Sequence, residues 1–418
     1  MIQIHRPDLS KMAIDHYNNY FLKLGLDKEL WNLYCNEINP IKKEFYGKIY
    51  DYKERILTGT PAELYKLIDE LFSKHPAVMY ALTSAGESLK EIKARQKKAK
   101  TRLNRIEKKK RNPRYSSDRA SLKKEAKKIK TWIKIINNTL KIEEQFIALG
   151  LEIRKELTGN PDKSAGKGKA KDKSIFNYSK FRSYDRDGDP ERYGGYTFVR
   201  NLGINVCPYC NRIFTHAYIN QGVAKATPQF DHFFSKSSYP FLALSFYNLV
   251  PSCENCNSRL KGEKDFYKNP HIHPYEDGFG DYFRFKIKLI KSKSKEDYVS
   301  IWTRQSIDAF EIVLEKEIDP KSVPKDPNFF KMAERNIETF QLNGMYQYHR
   351  DYVAELLLKA KIYNKDEVQY LINSFPGLFK NREEVLRLLT SNYVALPDLE
   401  KRVLSKLTRD ISRDLDWY

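Results

Sequence analysis

Apolar residues recur at helical spacing through most of the chain and alternate mainly in its middle. In residues 11–36, Met12, Tyr17, Phe21 and Leu24 fall on one side of a helical repeat. Pro40 interrupts that pattern, and residues 41–57 and 61–73 predict further helices. The last of these opens with Thr60 as N-cap and Pro61 at the first helical position. A longer pattern follows. Leu89, Ile92, Gln96, Ala99, Leu103 and Ile106 step by three and four, and after Asn112-Pro113 so do Leu122, Ala126, Ile129, Ile133, Ile136 and Leu140, with Ile147 beyond one skipped turn. A heptad-like seam on two long helices predicts an antiparallel helical hairpin over about residues 84–157. Period two appears over residues 212–219 and 227–233, two short strands joined by the Gly222 turn. It returns at Phe283, Phe285, Ile287 and Leu289, for which residues 298–303 are the expected partner strand. From residue 326 the pattern is helical again, over 329–339 and 345–361, with a break at Gly344. The expected fold class is α+β, mostly α. Its regions are a helical 1–158, a flexible linker over 159–174 (rich in Gly, Lys, Asp and Ala), a central 175–280, and a hairpin-plus-helical 281–418.

At 418 residues the chain is long enough for two or three domains and a sizeable core. Its 75 Lys and Arg against 54 Asp and Glu give a net charge of +21, which implies a polyanionic partner. Much of the excess sits between residues 90 and 130, with 19 basic residues against 4 acidic ones, so carboxylate partners at i,i+4 are mostly missing. The hairpin, with Lys108, Lys109, Lys110 and Arg111 at its tip, reads as a phosphate-binding arm with salt-dependent, sequence-blind attraction to DNA or RNA. A docking arm for a partner protein and a solvated charged face are the other readings, and a seam shared between two copies is compatible with the same heptads. The N-terminal MIQIHRPDLSK has no apolar signal region, and no apolar run reaches membrane-spanning length, so a cytoplasmic protein without a membrane partner is expected. Asp185-Arg186-Asp187-Gly188-Asp189 resembles the start of a calcium loop but has Pro190 and Tyr196 where glycine and glutamate are required, and reads as a surface turn. Phosphate-binding loops, dinucleotide fingerprints and serine-nucleophile motifs are absent from the sequence, which excludes those enzyme classes.

The chemistry concentrates between residues 207 and 261. Two Cys-x-x-Cys pairs, Cys207/Cys210 and Cys253/Cys256, bracket Asp231-His232, Asn248 lies before the second pair, and Asn257 directly follows it. Each pair can turn two thiolates toward one ion, and four thiolates complete a tetrahedral zinc site. A redox role for Cys207-Pro-Tyr-Cys210 requires the pair to open a helix after a strand, whereas alternation follows it here. Cys35 is left over as a small buried hydrophobe, and no disulfide framework is expected. His216 reads as a packing residue or a phosphate contact. His271 and His273 are spaced like metal ligands, though their proline-flanked context also suits a rigid turn.

Strand, strand and helix, with Asp-His on the second strand and Cys-Asn opening the helix, resemble the HNH endonuclease family, the ββα-metal nucleases, in its zinc-stapled branch. The layout is similar to the HNH subunits of bacterial anti-phage systems such as Septu and some retrons. The resemblance covers about the middle quarter of the chain. It implies a central ββα-metal core with a four-cysteine structural zinc, flanked by helical regions. It implies His232 as general base, Asn248 as the residue that holds the loop and orients His232 through its amide, and Asp231 with Asn257 as ligands of a catalytic Mg²⁺ or Mn²⁺. Lys261, one turn beyond Asn257, is expected to approach a phosphate. The resemblance further implies DNA as substrate, with RNA as a possible one, and a partner ATPase that restrains the nuclease. The competing reading is a zinc-stabilised nucleic-acid-binding protein without catalysis.

Overall fold

The computed structural model describes residues 1–113, 116–159, 174–187, 189, 191–220, 223–290, 307–317, 324, 326–415 and 417. Helices predominate among them, with three two-stranded antiparallel sheets. The chain opens with α1 (Leu9–His16), extended by a wider-turned segment, Tyr17–Leu22. Then come α2 (Leu26–Asn36), α3 (Pro40–Asp51), α4 (Lys53–Thr58), α5 (Pro61–Lys74) and α6 (Pro76–Thr83). Thr60 caps α5 as its sequence predicts: its hydroxyl accepts from the Glu63 N–H, and the Glu63 carboxylate accepts from the Thr60 N–H. Cys35 is exposed rather than buried. The buried face of α2 is set by Leu26 and Leu30, and five further residues carry Cys35 about 140° round the helix.

The expected hairpin is present as α7 (Ala85–Arg111) and α8 (Arg119–Thr158). Ala99, Ile136 and Leu140 form one buried cluster with Leu89, Ile92 and Ile133 packed on it; Ile106, Ala126 and Ile129 form a second with Leu103 and Leu122. Both lie apart from the main core, so the arm is held by its own seam. Gln96 contributes a polar rung, donating to Asn137 Oδ1 at 2.7 Å. The skipped turn before Ile147 contains Glu143, buried and accepting from the Tyr80 hydroxyl at 2.9 Å. There α8 packs against α6, and Ile147 is only half-buried. The linker expected over 159–174 lies outside the described residues except at its two ends.

Next come α9 (Tyr178–Ser183) and α10 (Gly195–Leu202). Asp185, assigned by its sequence to a surface turn, is buried. Its carboxylate accepts from the backbone N–H groups of Gly194, Tyr196 and Thr197, satisfying the exposed donors at the start of α10. The strands depart from the expected hairpin. β1 (Tyr218–Asn220) pairs with β2 (Val223–Ala226), whereas β3 (Gln229–His232) pairs with β4 (Leu249–Ser252). Residues 206–214 cannot extend β1, because they close a tight turn in which Val206 bridges Phe214 and the Cys207 N–H donates to the Ile213 carbonyl. After β4 comes α11 (Asn255–Lys261), a helix with wide i→i+5 turns.

β5 (Phe283–Leu289) pairs along its whole length with β6 (Phe310–Lys316). The partner expected at 298–303 lies outside the described residues. The C-terminal helices include α12 (Phe329–Thr339), α13 (Leu342–Tyr346), α14 (Arg350–Ile362), α15 (Lys365–Ser374), α16 (Arg382–Thr390) and α17 (Ser405–Asp414). Gly344 lies within α13; the break comes at Gln341, which takes a left-handed conformation (φ 48°). One apolar cluster runs from Phe45 and Ile68 through Phe230, Leu242 and Leu249 to Leu342, Leu407 and Trp417. The stretch from β3 to β4 is thus mostly buried among the helical regions, whereas Phe214, His216 and Tyr218 ahead of it are exposed.

The arm joins this body where Gly150 of α8 meets α6: a Cβ at Gly150 would lie 2.4 Å from the Ala81 carbonyl oxygen. Backbone cannot yield as a flexible side chain can. Gly150→Ala is therefore expected to lower unfolding stability by about 1–3 kcal/mol in urea titration, with helix content by circular dichroism retained.

Candidate active site

Two tight turns bring the four cysteines together. The first, residues 207–210, is closed by the Asn211 N–H donating to the Cys207 carbonyl at 2.7 Å. The second leads from β4 into α11. The sulfurs of Cys207, Cys210, Cys253 and Cys256 all lie within 4.8 Å of one another and are buried, with 3.9 Å between those of Cys210 and Cys253. Thiolates about 2.3 Å from a tetrahedral zinc ion stand about 3.8 Å apart, so this donor set fits a structural zinc. Residues 208–213 form turns rather than a helix, so the context of a redox Cys-x-x-Cys motif is missing.

Successive side chains on β3 leave the strand on opposite faces. Gln229 and Asp231 face α11. The Asp231 carboxylate is buried and held at both oxygens: Lys261 Nζ donates to Oδ1 at 2.7 Å, and the Tyr209 hydroxyl donates to Oδ2 at 2.5 Å. Lys261 Nζ also donates to the His232 carbonyl at 2.5 Å. Lys261 is therefore an internal counter-ion, not the solvent-facing phosphate contact expected of it. Asn257, one turn earlier on α11, donates its amide N–H to Gln229 Oε1 at 2.8 Å. As arranged, Asp231 and Asn257 do not present an open donor pair to a divalent cation. The nearest cation to Asp231 is an ammonium.

His232 leaves the other face of β3. Its Nε2 lies 3.0 Å from the Ala243 carbonyl oxygen, which can only accept, so Nε2 carries the proton and Nδ1 of the neutral ring is the acceptor. Burial, aided by the Lys236 and Lys261 cations, lowers its pKa to about 3, so the ring is neutral near pH 7. Asn248 orders the loop 233–248. Its Oδ1 accepts from the Phe234 N–H at 2.7 Å, and its Nδ2 donates to the carbonyls of Phe234 and Leu242. It acts on His232 through the Ala243 carbonyl of that loop, not through its own amide. His16 adds a brace, meeting the Leu244 carbonyl at 2.8 Å.

Tyr178 and Lys236, which carry no motif signal, also border His232. The Tyr178 ring packs edge-on against the imidazole at 4.6 Å, the Arg182 charge acts on the Tyr178 phenol, and Lys236 Nζ lies 4.9 Å from the Tyr178 ring centre. Tyr178 and Arg182 are one turn apart on α9, a spacing visible in sequence, but nothing there links α9 to β3. His271 and His273 are separately buried. His271 stacks on Phe266 at 3.7 Å and His273 packs on Phe233 at 4.0 Å, so they act as a packed turn. His216 is exposed. In the arm, Lys108 and Arg111 are exposed at the end of α7, where positive charge also suits the helix dipole, and Lys110 pairs with Glu107 at 2.9 Å. A groove of about 500 Å³ beside them is lined by Lys97, Lys98, Arg102, Arg105 and Lys109, with Glu125 as its acidic member.

No family model matches the chain, and no solved structure matches it. Among curated proteins it is similar to Septu protein PtuB of Bacillus thuringiensis, 36% identical over 63 residues, which is 15% of this chain and 24% of that protein. The chain thus spans about a quarter of the length of the curated relative it matches.

Two outcomes follow from the buried charges. Lys261→Met leaves the Asp231 carboxylate buried without its cation and is expected to cost about 3–5 kcal/mol in denaturant unfolding, partly recovered when Asp231→Asn is added. Burial also lowers His16 and His271 to about 4 and His273, like His232, to about 3. These rings stay neutral in the folded chain but take up protons on unfolding once pH falls below about 6.5. Stability is then complete above that pH and declines between about 6.5 and 4, by on the order of 1 kcal/mol per pH unit for each histidine. Urea titrations at stepped pH, with zinc content followed in parallel, check this, and His273→Gln makes the decline shallower.

Proposed function

We propose that this chain is an HNH-type endonuclease that hydrolyses phosphodiester bonds in DNA, and that it serves as the nuclease effector of a bacterial anti-phage system controlled by a partner ATPase. The observation that carries the reading is the state of His232. Its proton is fixed on Nε2 by a loop carbonyl, its Nδ1 is an acceptor, and cations flank it. In the reaction, Nδ1 accepts a proton from water as the water oxygen bonds to phosphorus, and the bond from phosphorus to the leaving oxygen breaks. Neighbouring cations favour an anionic phosphodiester beside that base. β3, β4 and α11 supply the strand, strand and helix of a ββα core, and the four-cysteine site supports the zinc-stapled branch of that family. When bound, zinc cross-links the two turns that frame these elements. The similarity to a Septu protein supports the defence role and a partner protein. The basic arm, including Lys108, Lys109, Lys110 and Arg111, supplies sequence-blind attraction to the duplex.

One observation favours a second reading, nucleic-acid binding without catalysis: Asp231, the expected ligand of Mg²⁺ or Mn²⁺, is paired with Lys261. Cleavage of supercoiled plasmid separates the two. The nuclease nicks or linearises the plasmid in Mg²⁺ or Mn²⁺, and His232→Ala loses about 10²–10⁴-fold in rate while retaining zinc and DNA binding. Cutting that persists in EDTA means that Lys261 keeps Asp231 and that the divalent ion is not a component. Equal cutting by both proteins removes His232 from its assigned role. Binding without cutting, with a cognate ATPase present or absent, favours the second reading.

A further inference from the structure

Of the cations near His232, Lys261 is paired with Asp231, but two others have no counter-charge. Among the described residues, neither Lys236 nor Arg182 forms an ion pair with a carboxylate, although the chain contains 54 Asp and Glu. Arg182 is one turn beyond Tyr178 on α9 and its charge acts on that phenol, and Lys236 lies over the same tyrosine's ring at 4.9 Å. The Tyr178 ring in turn packs edge-on against His232 at 4.6 Å. Two like charges thus share one aromatic support beside one base. Partial desolvation and the Arg182 charge hold the Lys236 amine below its ordinary pKa, the mark of a cation lacking an anion.

The loop bearing Lys236 is also fixed. Arg154, near the root of α8, donates from Nε to the Ser237 carbonyl at 2.5 Å and from Nη2 to the Leu82 carbonyl at 2.6 Å. Asn248 ties the loop across Phe234 and Leu242. Lys236 is four residues from His232 on that braced loop, and Arg182 projects from a separate helix. An anion held by both would sit beside the Nδ1 acceptor. Lys236 is exposed, as are other lysines that lie over tyrosines here; what sets it apart is that its tyrosine packs on the candidate base.

We propose that Arg182 and Lys236 form a two-pronged grip for a nucleic-acid phosphodiester, with Tyr178 as the support that sets the grip beside His232. The grip rests on the nuclease reading for the reaction it serves, though its ligand is defined by charge alone. Arg182 offers a planar fork to two phosphate oxygens and Lys236 a point charge. Both are positioning residues.

The test uses the full zinc-loaded chain in a His232→Ala background, binding a fluorescein-labelled DNA duplex by anisotropy over a series of salt concentrations. Each phosphate contact contributes about 0.9 to the slope of log affinity against log salt. Arg182→Gln and Lys236→Gln are each expected to reduce that slope by about one, and Lys236→Arg to retain it. The arm's contribution is common to all these proteins and cancels. Unchanged slopes in both glutamine variants overturn the grip whether or not the chain cuts DNA. With His232 restored, the glutamine variants are expected to lose about 10-fold or more in kcat/KM, and the arginine variant to recover most of it. If the native chain does not cut at all, the nuclease reading fails, and the salt slopes still decide the grip. Zinc content and circular dichroism of each variant confirm that the fold is intact.

Discussion

Four buried sulfurs set the constraint on which the centre of the molecule depends. As thiolates, sulfurs so close together would repel. A divalent ion converts that repulsion into a cross-link, and the elements it joins are too short to persist alone. β3 and β4 have four residues each and α11 has seven. The first turn extends the constraint to the end of the chain. Asn211, fully buried with φ 51°, accepts from the Lys406 N–H, donates to the Leu399 carbonyl, and receives the Leu404 N–H at its own carbonyl. From the other terminus, the Ile2 N–H donates to the Pro208 carbonyl. Both ends of the described chain therefore close on the first cysteine turn.

Within this frame the loop 233–248, which has only two short 3-10 turns, is held by its buried apolar side chains and by hydrogen bonds from side chains to its backbone. Asn248 spans it, and His16 and His232 each engage a carbonyl on it, at Leu244 and Ala243. The two imidazoles have the same bonding pattern but different surroundings. The Nδ1 of His16 is buried without a partner among aromatic rings, where protonation is opposed on every side. His232 stands beside Tyr178, with cations behind it. The same loop thus fixes both imidazoles through their Nε2 atoms, and burial holds both neutral, His232 further below the ordinary range than His16.

Much of this was readable from the residues alone, where local rules and long-range partners agree. The arm followed from its three-and-four spacing, the start of α5 from Thr60-Pro61, and the four-cysteine cluster from two spaced cysteine pairs. The strand pairing was not readable, because residues 212–219 alternate as a strand does while the knuckle turn takes up residues 212–214. Asp185 was misread because a buried carboxylate capping a helix ten residues away looks in sequence like any acidic turn. Gly344 suggested a break that Gln341 makes instead. The cations beside His232 lie on α9 and on a loop without a periodic pattern, so only the folded chain joins them.

The pairing of Asp231 with Lys261 bears most directly on chemistry. Desolvating two such charges costs several kcal/mol each, offset here by short bonds from Lys261 and Tyr209 and by a third to the His232 carbonyl. A carboxylate has about four lone-pair positions, and two are taken, so Asp231 retains some capacity to coordinate. An ion using it must still enter beside an ammonium or move it. Moving it releases the His232 carbonyl, because the same nitrogen holds both. Events at Asp231 on one face of β3 are therefore coupled to the backbone of His232 on the other, and a single lysine joins the two faces of the strand.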